Sequence, residues 1–365
     1  MASLSDGAGQ AASNARVIDM SRIEVVAPNL KSRLSGVTST IVQLVPVQQQ
    51  SIGIATIGPG LPESLPKIRW WQVPALFWLP ASGRWRIWHA RRNVEMVAGL
   101  VLRRLFRAPV RLLFTSAAQR THRPFTKWLI RNMDAVIATS ARSGAFLDVP
   151  HSVVMHGVDL DLFHPNEDAT ARFSDTGLTG QYAIGCFGRI RHQKGTDLFV
   201  DAMISLLPEF EGWTAIVTGR VTAENRDFAR MLEARVRDAG LSDRIVFLGE
   251  VPDIRPWYRC LSLYVAPSRN EGFGLTPLEA MASGAAVVAS DAGAFAEMVV
   301  PGQTGEVVPA GDGAALIDAI RPYLADPTLA GVHGQAALAH VRRSFPLSRE
   351  AEGIAAIYQR LWASR

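Results

Sequence analysis

Short apolar runs rich in β-branched residues alternate with amphipathic stretches of helical period along almost the whole chain. This alternation predicts parallel sheets with helices on both faces, because a parallel strand is reached from its neighbour only through a crossover. In the first half, the pattern predicts helices at 88–106 and 125–132, and strands at 23–27, 52–57, 110–115, 135–139 and 152–155.

A second series of strands begins near residue 182. Its strands are predicted at 182–187, 215–218, 245–248, 261–266, 286–289 and 306–308. Its helices are predicted at 196–207, 223–239, 277–283, 314–324 and 348–364. The stretch between the two series, 164–181, is polar and rich in turn formers, which indicates a linker.

The predicted fold is therefore α/β, with two Rossmann-like domains facing a cleft, and 365 residues suffice for two such cores. Ligands of parallel sheets bind at the carboxyl ends of the strands, so a ligand is expected in that cleft. The predicted segments are a flexible tail (1–20), an N-terminal domain (21–165), a linker (166–180), a C-terminal domain (181–345) and a helix (346–365) that crosses back to the first domain.

Composition excludes several classes of protein. With 48% hydrophobic and 19% charged residues, the chain is globular rather than disordered. Cys186 and Cys260 are too far apart for a zinc knuckle and are interpreted as buried, reduced thiols. The sequence shows no secretory signal and no run of about 18 apolar residues, so we expect a cytoplasmic protein.

Charge is distributed unevenly along the chain. The first 150 residues contain 19 Lys and Arg against 7 Asp and Glu, whereas the remainder contains 19 against 26. This asymmetry indicates that the N-terminal half meets an anionic partner, and nucleic acid and anionic lipid are both candidates.

A basic turn follows the first strand of the second series. Gly188 allows a close turn, and Arg189 and Lys194 then place two cations just before a predicted helix. Such charges near a helix N-terminus suit a diphosphate group. The alternative is an ordinary solvated strand–helix turn.

A glycine-rich loop follows the strand predicted at 261–266. Gly272 and Gly274 would expose backbone amide groups, and Thr276 is predicted to cap a helix that begins at Pro277. Glu271 lies in the loop and Glu279 in the first turn of the helix, where its carboxylate suits ribose hydroxyls. The alternative is a capped helix with one exposed acid.

Together, these two clusters resemble the signature of the retaining glycosyltransferases of family 4, which have the two-domain fold known as GT-B. The resemblance covers residues 180–345 and extends more weakly to the first domain. There, Gly36 and the segment His156-Gly157-Val158-Asp159 match the family pattern, except that His156 replaces the usual Asn.

The resemblance implies roles for individual residues. It implies that Arg189 and Lys194, with Gly188 and Gly36 nearby, hold the donor diphosphate, and that Glu279 binds the ribose. It places Glu271 on the transferred sugar. Further donor contacts are expected from Phe273, Gly274, Leu275 and Val251. A histidine is expected to contact the sugar or the acceptor, with His122 as the candidate and His156 as the alternative.

The resemblance also implies the reaction. The sugar is transferred with retention at the anomeric carbon through a front-face departure, and neither glutamate acts as the nucleophile of a retaining glycosidase. The donor is a nucleotide-diphosphate sugar. No Asp-x-Asp metal motif lies in a suitable loop, so no metal or other cofactor is expected.

The N-terminal half carries an unusual aromatic and basic segment. Five tryptophans edged by arginines favour contact with a lipid headgroup layer: Trp70, Trp71, Trp78, Trp85 and Trp88, with Arg84, Arg86, Arg91 and Arg92. The alternative is a tryptophan core with a solvated helix face. No recognised nucleic-acid-binding motif accompanies the charge, so nucleic acid is not expected as a partner.

Residues 88–96 and 114–122 further resemble the mannosyltransferases that build the inner core of bacterial lipopolysaccharide. This resemblance implies GDP-mannose as donor and a lipid-linked Kdo-lipid A acceptor, held at the cytoplasmic face of the inner membrane. Residues expected to bind the acceptor are Arg91, Arg92, Arg120 and His122. Two alternatives are a nucleotide-sugar 2-epimerase and a non-enzymatic, two-lobed sugar-binding protein.

Overall fold

The computed structural model describes residues 17–31, 36–166 and 173–364. Within these residues, the strands form two six-stranded parallel sheets. The first sheet contains β1 (Val25–Pro28), β2 (Ile54–Ile57), β3 (Arg86–Ala90), β4 (Val110–Ser116), β5 (Ala135–Ala138) and β6 (Ser152–Val153). The second contains β7 (Tyr182–Phe187), β8 (Trp213–Thr218), β9 (Ile245–Gly249), β10 (Leu263–Ala266), β11 (Ala286–Ser290) and β12 (Gly305–Val308).

The strand order is β2-β1-β3-β4-β5-β6 in the first sheet and β12-β11-β10-β7-β8-β9 in the second. Helices connect most of the strands. They are α1 (Gly36–Gln48), α2 (Asn93–Arg104), α3 (Pro124–Arg131), α4 (Ala141–Gly144), α5 (Thr196–Leu206), α6 (Arg226–Asp238), α7 (Arg255–Arg259), α8 (Thr276–Ala282), α9 (Phe295–Met298), α10 (Gly313–Ala325), α11 (Pro327–Ser344) and α12 (Leu347–Ala363). The predicted α/β architecture with parallel sheets is confirmed.

The second sheet is buried on both faces because successive side chains of a strand point to opposite sides. On β7, Ile184 and Cys186 pack into one apolar cluster with α5, α6 and α10. Ala183 and Phe187, which alternate with them, pack into a second cluster with α8 and α11. This double burial explains why β7 and β8 read as continuous apolar runs.

Both cysteines are free thiols, as the sequence predicts. Cys186 is buried in the first of these clusters, whereas Cys260 is only partly buried. Burial raises the pKa of each thiol to about 12, so both side chains are neutral at physiological pH.

The chain forms two compact units, one of Met1–Leu113 with Ser364–Arg365 and one of Phe114–Ala363. The predicted linker at 166–180 and the domain limits around it stay predictions, and residues 167–172 lie outside the described residues, as do 1–16 of the predicted tail. No helix in the described part of the chain is both long and apolar enough to cross a bilayer.

The helix predicted at 88–106 is wrong over residues 88–92. Residues 86–90 form β3, which pairs in parallel with β1 and matches Ile87 with Val25. The helix there is shorter and begins at Asn93. All five side chains of β3 are buried, and Trp88 is therefore a core residue and not part of an interface.

Arg86 explains why β3 was not recognised, because a charged residue interrupts its apolar pattern. Its side chain is only 2% exposed. The guanidinium donates to four backbone carbonyls, at Ile23 (2.9 Å), Met20 (2.8 Å), Ala75 (3.1 Å) and Trp78. Arg86 therefore ties the start of the chain and the segment before β3 together, and the expectation that it faces a membrane is wrong.

We expect Arg86→Met to lower the free energy of unfolding by about 3 kcal/mol or more, because it leaves several buried carbonyl groups without donors. Urea unfolding at neutral pH measures this change. The matched variant is Arg84→Met, whose half-exposed guanidinium lies 3.8 Å from Glu24, and its cost should stay below about 1 kcal/mol. Equal losses in the two variants would contradict the structural role of Arg86.

Candidate functional site

The predicted donor-binding residues lie at the carboxyl edge of the second sheet. β7 and β10 are neighbours there, and each is followed by a loop that carries polar side chains. Gly188 follows β7 with a φ of 134°, a conformation that side chains with a Cβ rarely adopt. The parallel arrangement therefore brings the basic turn and the glycine-rich loop to one edge.

Lys194 and Glu271 form an ion pair across these two loops, through Nζ and Oε2. Both side chains are largely buried, with 19% and 16% of their surface exposed. The Glu271 carboxylate also accepts a hydrogen bond from the backbone amide of Gly272 at 3.1 Å. A cation and a carboxylate that are 77 residues apart in sequence thus form one small charged site.

A second ion pair holds the same two loops together. Arg269 donates through both terminal nitrogens to the Asp197 carboxylate, at 2.7 and 2.8 Å. Burial opposes the charge of Asp197, but the hydrogen bonds from Arg269 outweigh it and lower the pKa of that carboxyl group. The backbone adds a hydrogen bond from the Arg269 amide to the Gln193 carbonyl at 2.9 Å. This clamp keeps the loop of Glu271 against the turn of Lys194.

Glu279 lies in the first turn of α8 and accepts a hydrogen bond from the Tyr258 hydroxyl at 2.8 Å. Burial raises the pKa of Glu279, although the bond from Tyr258 and the charge of Lys194 act in the opposite direction. Burial, followed by the nearby Glu279, raises the pKa of Tyr258, so the phenol stays a donor. Glu279 is thus a buried carboxyl group with few hydrogen-bond partners among the described residues to offset its desolvation.

A pocket of about 250 Å³ opens beside Glu279. The pocket is lined by residues that were predicted to contact the donor, namely Gly188, Arg189, Val251 and Glu279. It is also lined by Arg220 and Tyr258, which were not predicted. Lys194 lines a small adjoining hollow that shares Gly188 and Thr276 with the pocket. The structure therefore brings Arg189, Lys194, Glu271 and Glu279 together, as the sequence analysis expected, while their individual roles stay predictions.

The glycine-rich loop is shaped by its contacts with α9. Gly274 has a φ of 85°, and a Cβ there would lie 2.3 Å from the Phe295 ring. Phe273 is buried, and its carbonyl accepts from the Ala294 amide at 3.1 Å. The prediction that Thr276 caps α8 is wrong. Leu275 occupies the N-cap position and makes no side-chain capping bond, and Thr276 is the first residue of the helix.

The loop after β4 lies against the glycine-rich loop within the second unit, because a Cβ on Gly272 would be 3.2 Å from the Ala117 carbonyl. His122 follows in this loop, and its Nε2 is buried without a hydrogen-bond partner among the described residues. Burial, then the charges of Arg120 and Lys127, lower the pKa of His122. A neutral imidazole with an unused nitrogen suits the predicted contact with sugar or acceptor.

Three of the predicted residues, Gly36, Arg91 and Arg92, lie in the first unit. Gly36 is the first residue of α1. The guanidinium of Arg92 donates to Asn29 Oδ1 at 2.6 Å, Thr38 Oγ1 at 3.0 Å and Glu95 Oε1 at 3.0 Å. Arg92 is thus engaged within its own unit, and Arg91 bonds the His89 carbonyl at 3.4 Å. Acceptor binding by these arginines stays a prediction.

Sequence reasoning missed several residues of the site, among them Arg220, Tyr258 and Arg191. Tyr258 contacts Glu279 from a helix that carried no motif. Arg191 lies two positions after Arg189, and its Nε is buried without a hydrogen-bond partner in the described part of the chain. Burial lowers the pKa of Arg191, and the positive charge of nearby Arg189 lowers it further, whereas the negative charge of Glu271 acts in the opposite direction. The Arg-x-Arg spacing was the available signal for this third cation.

Across 17–31, 36–166 and 173–364, no three His, Cys, Asp or Glu side chains are grouped as metal ligands would be. Chemistry without a metal stays an expectation.

Comparison with known proteins decides the family. A family model described as "Glycosyl transferases group 1" matches residues 181–326. The chain is 65% identical over 344 residues to the lipopolysaccharide core biosynthesis mannosyltransferase LpcC of Rhizobium leguminosarum bv. viciae, which covers 94% of this chain and 98% of that protein. The chain belongs to the group 1 glycosyltransferases.

Other relatives of this glycosyltransferase agree. It is 52% identical over 351 residues to the lipopolysaccharide core biosynthesis mannosyltransferase LpsB of Rhizobium meliloti (strain 1021), covering 94% of this chain and 99% of that one. The solved C-terminal domain of LpcC from Francisella tularensis is 38% identical and matches 52% of this chain and all of that chain, with a TM-score of 0.50. The comparisons support neither the epimerase nor the sugar-binding alternative.

Similarity of fold extends further than similarity of sequence. The structure of HepE of Anabaena in complex with UDP is 19% identical and has a TM-score of 0.78 over 93% of this chain and all of that chain. At this identity, the match shows that this glycosyltransferase shares the two-sheet fold of that protein.

We expect Glu279→Gln to be at least as stable as the unsubstituted glycosyltransferase at pH 8, because burial disfavours the charged carboxylate and the amide oxygen still accepts from Tyr258. A carboxyl group whose pKa rises on folding favours the folded state at low pH and loses that contribution as the pH rises through the folded pKa. The stability of the variant relative to the original should therefore increase between pH 5 and pH 8.

Urea unfolding at the two pH values measures this difference. Glu250→Gln is the matched control, because Glu250 lines the same pocket but is exposed, and it should show the same relative stability at both values. A Glu279→Gln variant that becomes relatively weaker at pH 8 would contradict the burial argument.

Proposed function

We propose that this glycosyltransferase transfers mannose from GDP-mannose to a Kdo-bearing lipid A precursor, with retention at the anomeric carbon. The observation that carries the proposal is the 65% identity to a lipopolysaccharide core mannosyltransferase over 98% of that protein. The 52% identity to a second such enzyme supports it. In this proposal, residues 181–345 bind the donor and residues 21–165 bind the acceptor.

The charged site fits a nucleotide-diphosphate sugar. Arg189 is exposed at the pocket and forms no ion pair within the described residues, so its guanidinium is available to a diphosphate. Glu279 would accept the ribose hydroxyls deeper in the pocket, and the base would lie towards Val251. Lys194 would contact the phosphate next to the sugar that Glu271 touches, which makes the ion pair of these two residues part of the donor site.

The same arrangement suits the chemical step. When the bond between the anomeric carbon and the phosphate oxygen breaks, negative charge develops on the leaving diphosphate. The acceptor oxygen bonds to the anomeric carbon on the same face and gives its proton to that phosphate. Arg189 and Lys194 would stabilise the developing charge without reorganising, which is the main source of catalysis in such sites. Glu271 would orient the sugar, with its carboxylate fixed by Lys194 and the Gly272 amide.

We expect Lys194→Met and Glu271→Gln each to lower kcat/KM by about 100-fold or more. The first removes a cation that would stabilise the leaving diphosphate, and the second weakens the charged contact that would orient the sugar. Transfer from GDP-mannose to a purified Kdo-lipid A acceptor measures the loss, and circular dichroism checks the fold. Arg235→Met is the matched control, since it breaks an ion pair with Asp201 that lies outside the site. Near-normal transfer by either variant would exclude its assigned role.

The donor itself is tested by thermal shift. A ligand that binds the folded protein raises its apparent stability by mass action, so GDP-mannose should raise the melting temperature more than UDP-glucose or ADP-glucose. A larger shift with a different nucleotide sugar would overturn the choice of donor.

The membrane part of the proposal rests on an exposed apolar surface of the first unit. Trp70, Trp71 and Trp78 are 64–70% exposed, and Leu105 and Phe106 are 71% and 54% exposed. The Phe77 ring lies 5.6 Å from Phe106, which joins the two groups. We call these five exposed residues the aromatic surface.

Basic residues flank the aromatic surface. Arg69, Arg104 and Arg107 are exposed and adjoin it in sequence. Tryptophan and arginine at such a surface suit the headgroup region of an anionic bilayer, where each basic residue contributes about 1 kcal/mol. The proposal therefore places the enzyme on the cytoplasmic face of the inner membrane, where its lipid-linked acceptor would be anchored.

We expect the combined change Trp70→Ser, Trp78→Ser and Phe106→Ser to abolish co-sedimentation with vesicles that contain phosphatidylglycerol, because it removes the inserted apolar area. Transfer to a water-soluble acceptor analogue should persist. The control is Met231→Ser with Val332→Ser, two exposed apolar residues of the second unit. Undiminished co-sedimentation of the triple variant would exclude the aromatic surface as the membrane contact.

A further inference from the structure

His156 is held by a carboxylate from the C-terminal helix. Its Nδ1 lies 2.7 Å from Glu350 Oε1, and the Gly157 amide donates to Glu350 Oε2 at 2.9 Å. His156 and Glu350 are 9% and 5% exposed. Both oxygens of one buried carboxylate thus hold the ring and the backbone of the segment that follows β6.

Glu350 has a defined place in the fold. It lies in the first turn of α12, where the helix dipole favours a negative charge. Neighbouring backbone pairing fixes the distance: the Val158 amide donates to the Phe345 carbonyl at 2.9 Å, and the Leu347 amide donates to the Val158 carbonyl at 3.0 Å. Carboxylate oxygens accept hydrogen bonds, so a bond between Glu350 and His156 requires the imidazole proton on Nδ1, and this contact sets the ring orientation.

The other side of the His156 ring meets the donor loop. The ring centroids of His156 and Phe273 are 4.8 Å apart, with the planes at 80°, which is an edge-to-face contact. Phe273 lies between Glu271 and Glu279 and is 5% exposed. The Ala294 amide, just before α9, holds the backbone of Phe273. His156 supports the Phe273 side chain from a different part of the chain, the segment after β6.

We infer that Glu350 and His156 are positioning residues that hold the Phe273 ring and thereby set the conformation of the donor loop, residues 271–275. This inference rests on the proposed function for the role of that loop. It explains the departure of this chain from the family resemblance: an asparagine at position 156 could bond a carboxylate, but it has no ring to place against Phe273. The histidine thus couples α12 to the donor site.

Kinetics test the inference. In Glu350→Gln, the amide oxygen can keep the bond from the Gly157 amide, but the side-chain NH2 group then faces Nδ1 and can only donate, so the imidazole N–H loses its charged acceptor. We expect the donor KM to rise about tenfold while the acceptor KM stays within twofold. Glu352→Gln is the matched control, because Glu352 is exposed two residues further along α12. Assays run well below the melting temperature of each variant.

A double-mutant cycle tests the route through Phe273. If Glu350 acts through the ring, adding Glu350→Gln to Phe273→Leu should change the donor KM less than twofold beyond the change that Phe273→Leu causes alone. His156→Phe should retain part of the function, because it keeps an aromatic ring against Phe273. Additive effects of the two substitutions, or an unchanged donor KM in Glu350→Gln, would overturn the inference.

Hydrogen exchange separates this inference from the proposed function, since it needs no donor. Without any ligand, the backbone amides of residues 272–275 should exchange at least fivefold faster in Glu350→Gln than in Glu352→Gln. Unchanged exchange of these amides would overturn the positioning role whatever the donor is. Faster exchange in an enzyme that fails to use GDP-mannose would uphold the positioning role and reject only the donor assignment.

Discussion

The adjacency of β7 and β10 in the second sheet is the constraint on which the charged site depends. Parallel strands present their carboxyl ends at one edge, so the loops after these two strands meet even though they are far apart in sequence. The Arg269–Asp197 clamp then fixes the distance between the loops, and Lys194 can reach Glu271. Without that strand order, the same residues would form two unrelated turns.

Buried charge is used in two different ways in this protein. Arg86 is surrounded by carbonyl groups that use its donors, and its effect is confined to the fold. Glu279 and Glu350 are buried with fewer partners, and each lies next to the glycine-rich loop or to a residue that supports it. Burial of the Glu279 carboxylate costs stability, which is consistent with a part in binding.

Local patterns predicted much of this structure and failed where a long-range contact overrides them. The strand at Tyr182–Phe187 and the helix at Thr196–Leu206 follow their apolar periodicity closely. The sequence pattern predicted a helix in place of β3, because the charged side chain of Arg86 interrupts the apolar pattern of this buried strand. Among the site residues, Arg189 and Glu279 were found from loop chemistry, whereas Tyr258 was not, because only the packing of α7 beside α8 brings its hydroxyl to Glu279.

The sequence by itself determined the alternation of strands and helices, the glycines that permit tight turns, and the charges in the loops that follow β7 and β10. These features depend on residues within a few positions of one another. Only the tertiary structure decided which of these charges meet, since the partner of Lys194 is 77 residues away and that of His156 is 194 residues away. It also decided which tryptophans and arginines are buried, because burial depends on neighbours that local periodicity does not specify.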